Sequence, residues 1–254
     1  MEWIATGLVA LAIGLPALAA LVLLVAGWRL TRLRWRRSPL GLAAPGAVPP
    51  EVRATLDDAR PLLAALGFEF RYTTAAEPAL ASDPTPLVLN DVYQHTDKRT
   101  HAVVTPAPAH DPVDDWSVMW VTQLRSGHVL ATVNCYLHNL VAAPSGWVMD
   151  DGYLPDAQQS WQRHLQRLPA NVLAIVTDGV EFFHANKQAV DNFIPQCEKR
   201  GLMAQRGDWW HLRWTAAIVF ACKLYFGRRK AAKARVRASS RPGSPGSFRN
   251  AQAS

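Results

Sequence analysis

The chain has 254 residues, a formal charge of +7, ten tryptophans and only three cysteines. Once an apolar N-terminal segment and its basic collar are set aside, about 200 residues remain, enough for one compact domain and a tail. Cys135, Cys197 and Cys222 are odd in number, far apart and in no CxxC pair, which excludes a disulfide scaffold or a zinc ribbon.

Residues 4–28 carry no charge. At 1.5 Å per residue they are long enough for the roughly 30 Å hydrocarbon core of a bilayer, so the expectation is a single transmembrane helix with Trp3 and Trp28 at its two ends. Arg29, Arg32, Arg34, Arg36 and Arg37 follow it, and the positive-inside rule then places residues 1–3 outside and the main domain in the cytoplasm. The expected protein is a single-pass component of a bacterial inner membrane. Pro16 predicts a kink. The collar and a Pro/Gly linker take residues 29–50, a cytosolic domain residues 51–227, and a basic, disordered tail residues 228–254.

Within the domain, Pro50 opens a helix whose apolar positions Val52, Leu56, Ala59, Leu63 and Leu66 recur at three to four, and Gly67 ends it. Residues 68–72 alternate as a strand does, and the proline-rich residues 77–86 read as loop. Strands follow at 88–95 and 101–105 around a polar turn, then at 116–124 and 128–136 around Arg125, Ser126 and Gly127. Their alternation predicts a sheet with one wet face. Residues 143–155 read as loop. Asp156 caps a helix whose edge is Ala157, Trp161, Leu165 and Leu168. Residues 172–183 are apolar and fit a hairpin or a helix, with helix favoured. Residues 186–200 read as helix up to Gly201, residues 209–214 as strand, and Thr215 as the cap of a last helix ending near Gly227. The fold class is α+β: one N-terminal transmembrane helix, then a mainly antiparallel sheet of hairpins in a meander, with helices packed on one face.

No catalytic signature is present: no GxSxG, no P-loop lysine, no GxGxxG after a strand. The eight histidines show no HxH, HExxH or i, i+4 spacing, and the single Glu181-Phe-Phe-His184 element falls short of a di-iron set, so neither a metal nor a cofactor is expected. The cluster Asp111, Asp114 and Asp115 reads as turn residues. His164 stands three residues after Trp161 on the edge of an apolar face, where a satisfied core histidine outweighs a functional one.

The leading functional reading is a non-enzymatic accessory or scaffold protein that presents its α+β domain to a protein partner at the bilayer surface. One alternative is a membrane-tethered enzyme with a site near Asp150, Asp151, His138 and His164. The other is binding of anionic lipid headgroups through Arg228, Arg229 and Lys230 and the collar. The positive charges lie in two terminal clusters with near balance between them, which argues against nucleic acid as partner.

Overall fold

The computed structural model describes residues 2–44, 46–83, 85, 87–106, 116–134, 142–150, 154, 156–168 and 175–239. Helix α1 (Glu2–Thr31) leads into strand β1 (Gly41–Leu42) and helix α2 (Pro50–Ala65). Strands β2 (Phe68–Ala76), β3 (Val88–His95), β4 (Thr100–Pro106), β5 (Trp116–Gln123), β6 (Val129–Val133) and β7 (Trp147–Asp150) follow. Helices α3 (Ala157–Arg167), α4 (Gly179–Asp191) and α5 (Phe193–Lys199) precede a hairpin of β8 (Met203–Arg206) and β9 (Trp209–Leu212), and helix α6 (Trp214–Ser239) closes the described chain. Side chains are described at Gly14 and 16–31 of α1, and at 214–226 and 233 of α6.

Among the described residues β1 to β7 form one sheet in chain order, antiparallel throughout except for β6 and β7, which run parallel. The expected hairpin is present, with Trp120 opposite Thr132 and Gly127 at φ 79° in the turn. Lys98, at φ 59°, closes the preceding turn. A register shift between Phe70 and Tyr72 lets β2 turn Phe70 to one face and Tyr72 to the other.

Both faces of the sheet are covered. On the first, Leu56, Ala59 and Leu63 of α2 and Ala157 and Trp161 of α3 pack on Phe68, Tyr93, Val118 and Trp120. On the second, Phe182 of α4 packs with Val92, Val103 and Val121. The expectation of helices on one face and a wet opposite face is therefore corrected. The apolar residues Val92, Val103 and Val121 stand between the residues of the first face on their own strands, and such double apolar patterning marks a strand buried on both sides.

The expected membrane span is also overturned: among the described residues no helix is long and apolar enough to cross a membrane. The last turns of α1 are taken up by protein contacts instead. Gly27 lies where an added Cβ would stand 3.2 Å from Ile218 of α6. Leu30 packs on a second core of Ile194, Cys197, Met203, Trp210, Leu212 and Phe220. The transmembrane part of the expected fold and the single-pass inner-membrane location that followed from it lose their basis together.

Residues 32–44, part of the expected collar and linker, are bound into the fold. Trp35 exchanges backbone hydrogen bonds with Trp210 at 2.8 and 3.0 Å, and the Ala81 amide donates to the Arg34 carbonyl at 2.9 Å. Leu40 is buried, its amide donating to Asp191 and its carbonyl accepting from Lys187. The loop expected at 143–155 contains β7. In the segment 172–183, residues 175–178 are irregular, and Asp178 starts α4 with a capping box to Glu181. The chain breaks again at Asn192, which puts Pro195 in the first turn of α5, where its missing amide hydrogen costs no helical bond. Helix α6 continues through Gly227 to Ser239, because the alanines, arginines and lysines beyond that glycine are strong helix formers.

The first face carries an ion pair in which the carboxylate is fully buried and the guanidinium partly so. Asp91 of β3 accepts both guanidinium nitrogens of Arg53 from α2, and Thr73 donates to it at 2.7 Å. The hydrogen bonds to Asp91 hold the Arg53 guanidinium above its ordinary pKa. Replacing Arg53 with Met should lower the unfolding free energy by about 3 kcal/mol, because it strands a buried carboxylate. Asp57→Ala, which removes only a half-exposed partner of Arg53, should cost less than about 1 kcal/mol. Urea denaturation of the two variants measures the difference.

Candidate functional site

A cavity of about 380 Å³ lies on the second face of the sheet, roofed by α4 and α5. Strand alternation builds its floor: Asn90 of β3, Val103 and Thr105 of β4 and Met119 of β5 all point away from α2. Trp147 and Met149 of β7 extend it, and Asn186, Val190 and Phe193 close it from above. The lining is mainly apolar, and this is the usual character of a small-molecule site. Thr105 donates to the Asn90 side-chain oxygen at 2.7 Å. Asn186, 9% exposed, lines the cavity from α4. At the rim Arg36 and Glu77 pair with each other at 3.0 Å, and the Arg36 Nε donates to the Pro78 carbonyl.

A second polar arrangement lies on the opposite face. His164 of α3 is fully buried, with Nε2 2.8 Å from the Thr122 hydroxyl and Nδ1 3.0 Å from that of Thr132. Arg167 donates to the Thr132 hydroxyl at 2.8 Å, leaving that hydroxyl its own proton to donate to Nδ1. The imidazole proton then sits on Nε2 and is donated to Thr122, which lies 2.8 Å from Thr100. Burial and the neighbouring Arg167 push the His164 pKa down to about 3, so the ring is neutral. Asp150, at the end of β7, pairs with Arg163 at 3.0 Å and with Arg167 at 3.5 Å.

Two of the four residues weighed for catalysis, His164 and Asp150, are thus joined through Arg167 and Thr132, and neither lines the cavity. Asp151 and His138 lie outside the described residues, as do Asp111, Asp114, Asp115 and Cys135. Among the described residues no three His, Cys, Asp or Glu side chains are grouped to hold a metal ion. In the element Glu181 to His184, the glutamate accepts from the Asp178 amide in the capping box.

Of the expected lipid-facing charges, Arg32 stacks on Trp28 at 3.6 Å, Arg36 pairs with Glu77, and Arg37 lies 5.4 Å from the Trp210 ring. The side chains of Trp3, Arg228, Arg229 and Lys230 are outside the described set. The cavity was not foreseen. Its polar members, Asn90, Thr105 and Asn186, are spread over almost a hundred positions and carry no motif.

No protein family, curated protein or solved structure matches this chain.

One further buried histidine belongs to the second face of the sheet. His101 of β4 stacks on Phe182 of α4, with ring centroids 3.9 Å apart, and its Nε2 has no partner. Burial and the nearby Arg71 push its pKa down to about 4. Both His101 and His164 therefore bind their proton more weakly when folded than when unfolded, where the ordinary value is about 6.5. Their neutral forms contribute stability at pH 7 that is lost as pH falls through 6.5 toward 4. Each adds a slope of about 1.4 kcal/mol per pH unit in that window. His101→Phe should remove one such slope while leaving stability at pH 7 unchanged or higher, since it deletes an unpaired buried nitrogen. Urea midpoints at pH 7, 6 and 5 test both statements.

Proposed function

We propose that this chain is an accessory or scaffold protein that holds its α+β body against a protein partner. The partner contributes an apolar helix seated along α1. What supports this reading is a row on that helix: Leu18 is 58% exposed, Leu21 57%, Val25 45% and Trp28 48%. The spacings of three, four and three keep these side chains on one stripe, the seam that a second helix packs into. Contiguous exposed apolar surface of this kind marks an interaction site. Val219 and Phe226 of α6 add exposed apolar surface beside it. Arg29 and Arg32 follow the row, so a matching helix carries acidic residues at the adjoining end.

The test places a photoreactive residue at position 21 of the full chain and, as control, at Val180, which is exposed on α4. The expected outcome is a discrete one-to-one adduct from position 21 alone, mapped to an apolar helix of one partner. Its yield should fall at least about tenfold in a Leu18→Glu, Val25→Glu variant with an unchanged unfolding midpoint. Adducts that join two copies of this chain, that arise equally from position 180, or that persist in the charged variant overturn the reading.

A further inference from the structure

We infer that the cavity under α4 and α5 binds an uncharged, mainly apolar small molecule that presents a carbonyl oxygen to the Asn186 and Asn90 side-chain amides. The inference stands apart from the docking row on α1, and it rests on what the lining leaves unused. Thr105 occupies the Asn90 oxygen, so the Asn90 amide nitrogen keeps its donors for the cavity. The side-chain amide of Asn186, which lines the cavity from α4, supplies further donors.

The ligand's charge follows from the same lining. Arg36 and Glu77 are the charged residues of the cavity wall, and they neutralise each other at the rim. An ionised head would enter with no counter-charge, a desolvation that an apolar site does not repay. Met119, Met149 and Trp147 also line the cavity, and thioethers adapt to a flexible chain. A volume of about 380 Å³ sits in the range of small-ligand pockets. The geometry points to an acyl compound with a neutral head, such as a fatty amide, in preference to the corresponding acid or amine.

The four methionines make the test direct, because Met119 and Met149 line the cavity while Met203 is in the second core. The full chain labelled with ¹³C at the methionine methyls would be titrated with decanamide, decanoate and decylamine. Decanamide is expected to shift the Met119 and Met149 signals and leave Met203 in place, with the acid and the amine binding at least about tenfold more weakly for want of a counter-charge. Asn186→Leu should weaken decanamide about tenfold, the loss of one hydrogen bond to a buried amide. Should that variant fail to fold, Ala189→Trp fills the cavity from α4 instead and should abolish the shifts while Met203 keeps its position. No shift at Met119 and Met149, equal shifts at all methyls, equal binding of the three probes, or shifts that survive the filled cavity overturn the inference.

Discussion

Strands β3 to β6 have helices on both sides, and every polar side chain on them must find its partner inside the protein. Leaving such a group unpaired costs free energy comparable to the net stability of a whole hydrogen-bonded turn. Among the described residues the first face meets this constraint. Asp91 takes Arg53 and Thr73, and His164 is held between Thr122 and Thr132. The Trp120 indole nitrogen donates to Ser160 at 2.7 Å, and Ser160 passes its own proton to the Ala157 carbonyl. Apart from the Ser160 to Ala157 bond inside α3, each of these bonds joins a helix to the sheet or one strand to another, so α2 and α3 are fixed in position as well as attracted by their apolar contacts.

The second face is less complete. Gln94 donates to the Thr177 carbonyl and accepts from Arg71, yet His101, Thr177 and Tyr72 each retain a buried atom without a partner, and Asn186 faces the cavity. Burial holds the Tyr72 hydroxyl protonated well above the ordinary tyrosine range. Native proteins keep unpaired polar groups mainly where structure has been traded for binding or switching. Their concentration beneath α4 separates a structural face from one with spare hydrogen-bonding capacity.

Much of the sheet was legible in the sequence because its signals are local. The helix from Pro50, the turn at Gly127 and the Asp156 cap are each written within a few residues, and all three are in place. What was illegible depends on distant pairing. Nothing local marks β7, which exists because β6 offers it a parallel edge thirteen or more residues earlier in the chain. The 32–44 segment looks like a tether by composition, and it is ordered by partners at Asp191 and Trp210 that no window can contain. Residues 4–28 show the opposite error. Their composition alone suggested a lipid environment, whereas the packing of Gly27 and Leu30 against α6 and the second core is a property of three dimensions. His164 reads correctly only once its two threonines are seen, and the cavity has no sequence signature.

The contact between Gly27 and Ile218 joins residues about 190 positions apart. At a ribosomal pace of 5–20 residues per second, the apolar end of α1 is made roughly 10–40 s before its covering helix exists. The meander of β2 to β6 pairs neighbours in sequence and can assemble during that interval, since local contacts close quickly. The N-terminal helix cannot. It has to be shielded by a chaperone or by another surface until synthesis is nearly finished, which makes its docking a late event in the birth of the molecule and the step most exposed to aggregation.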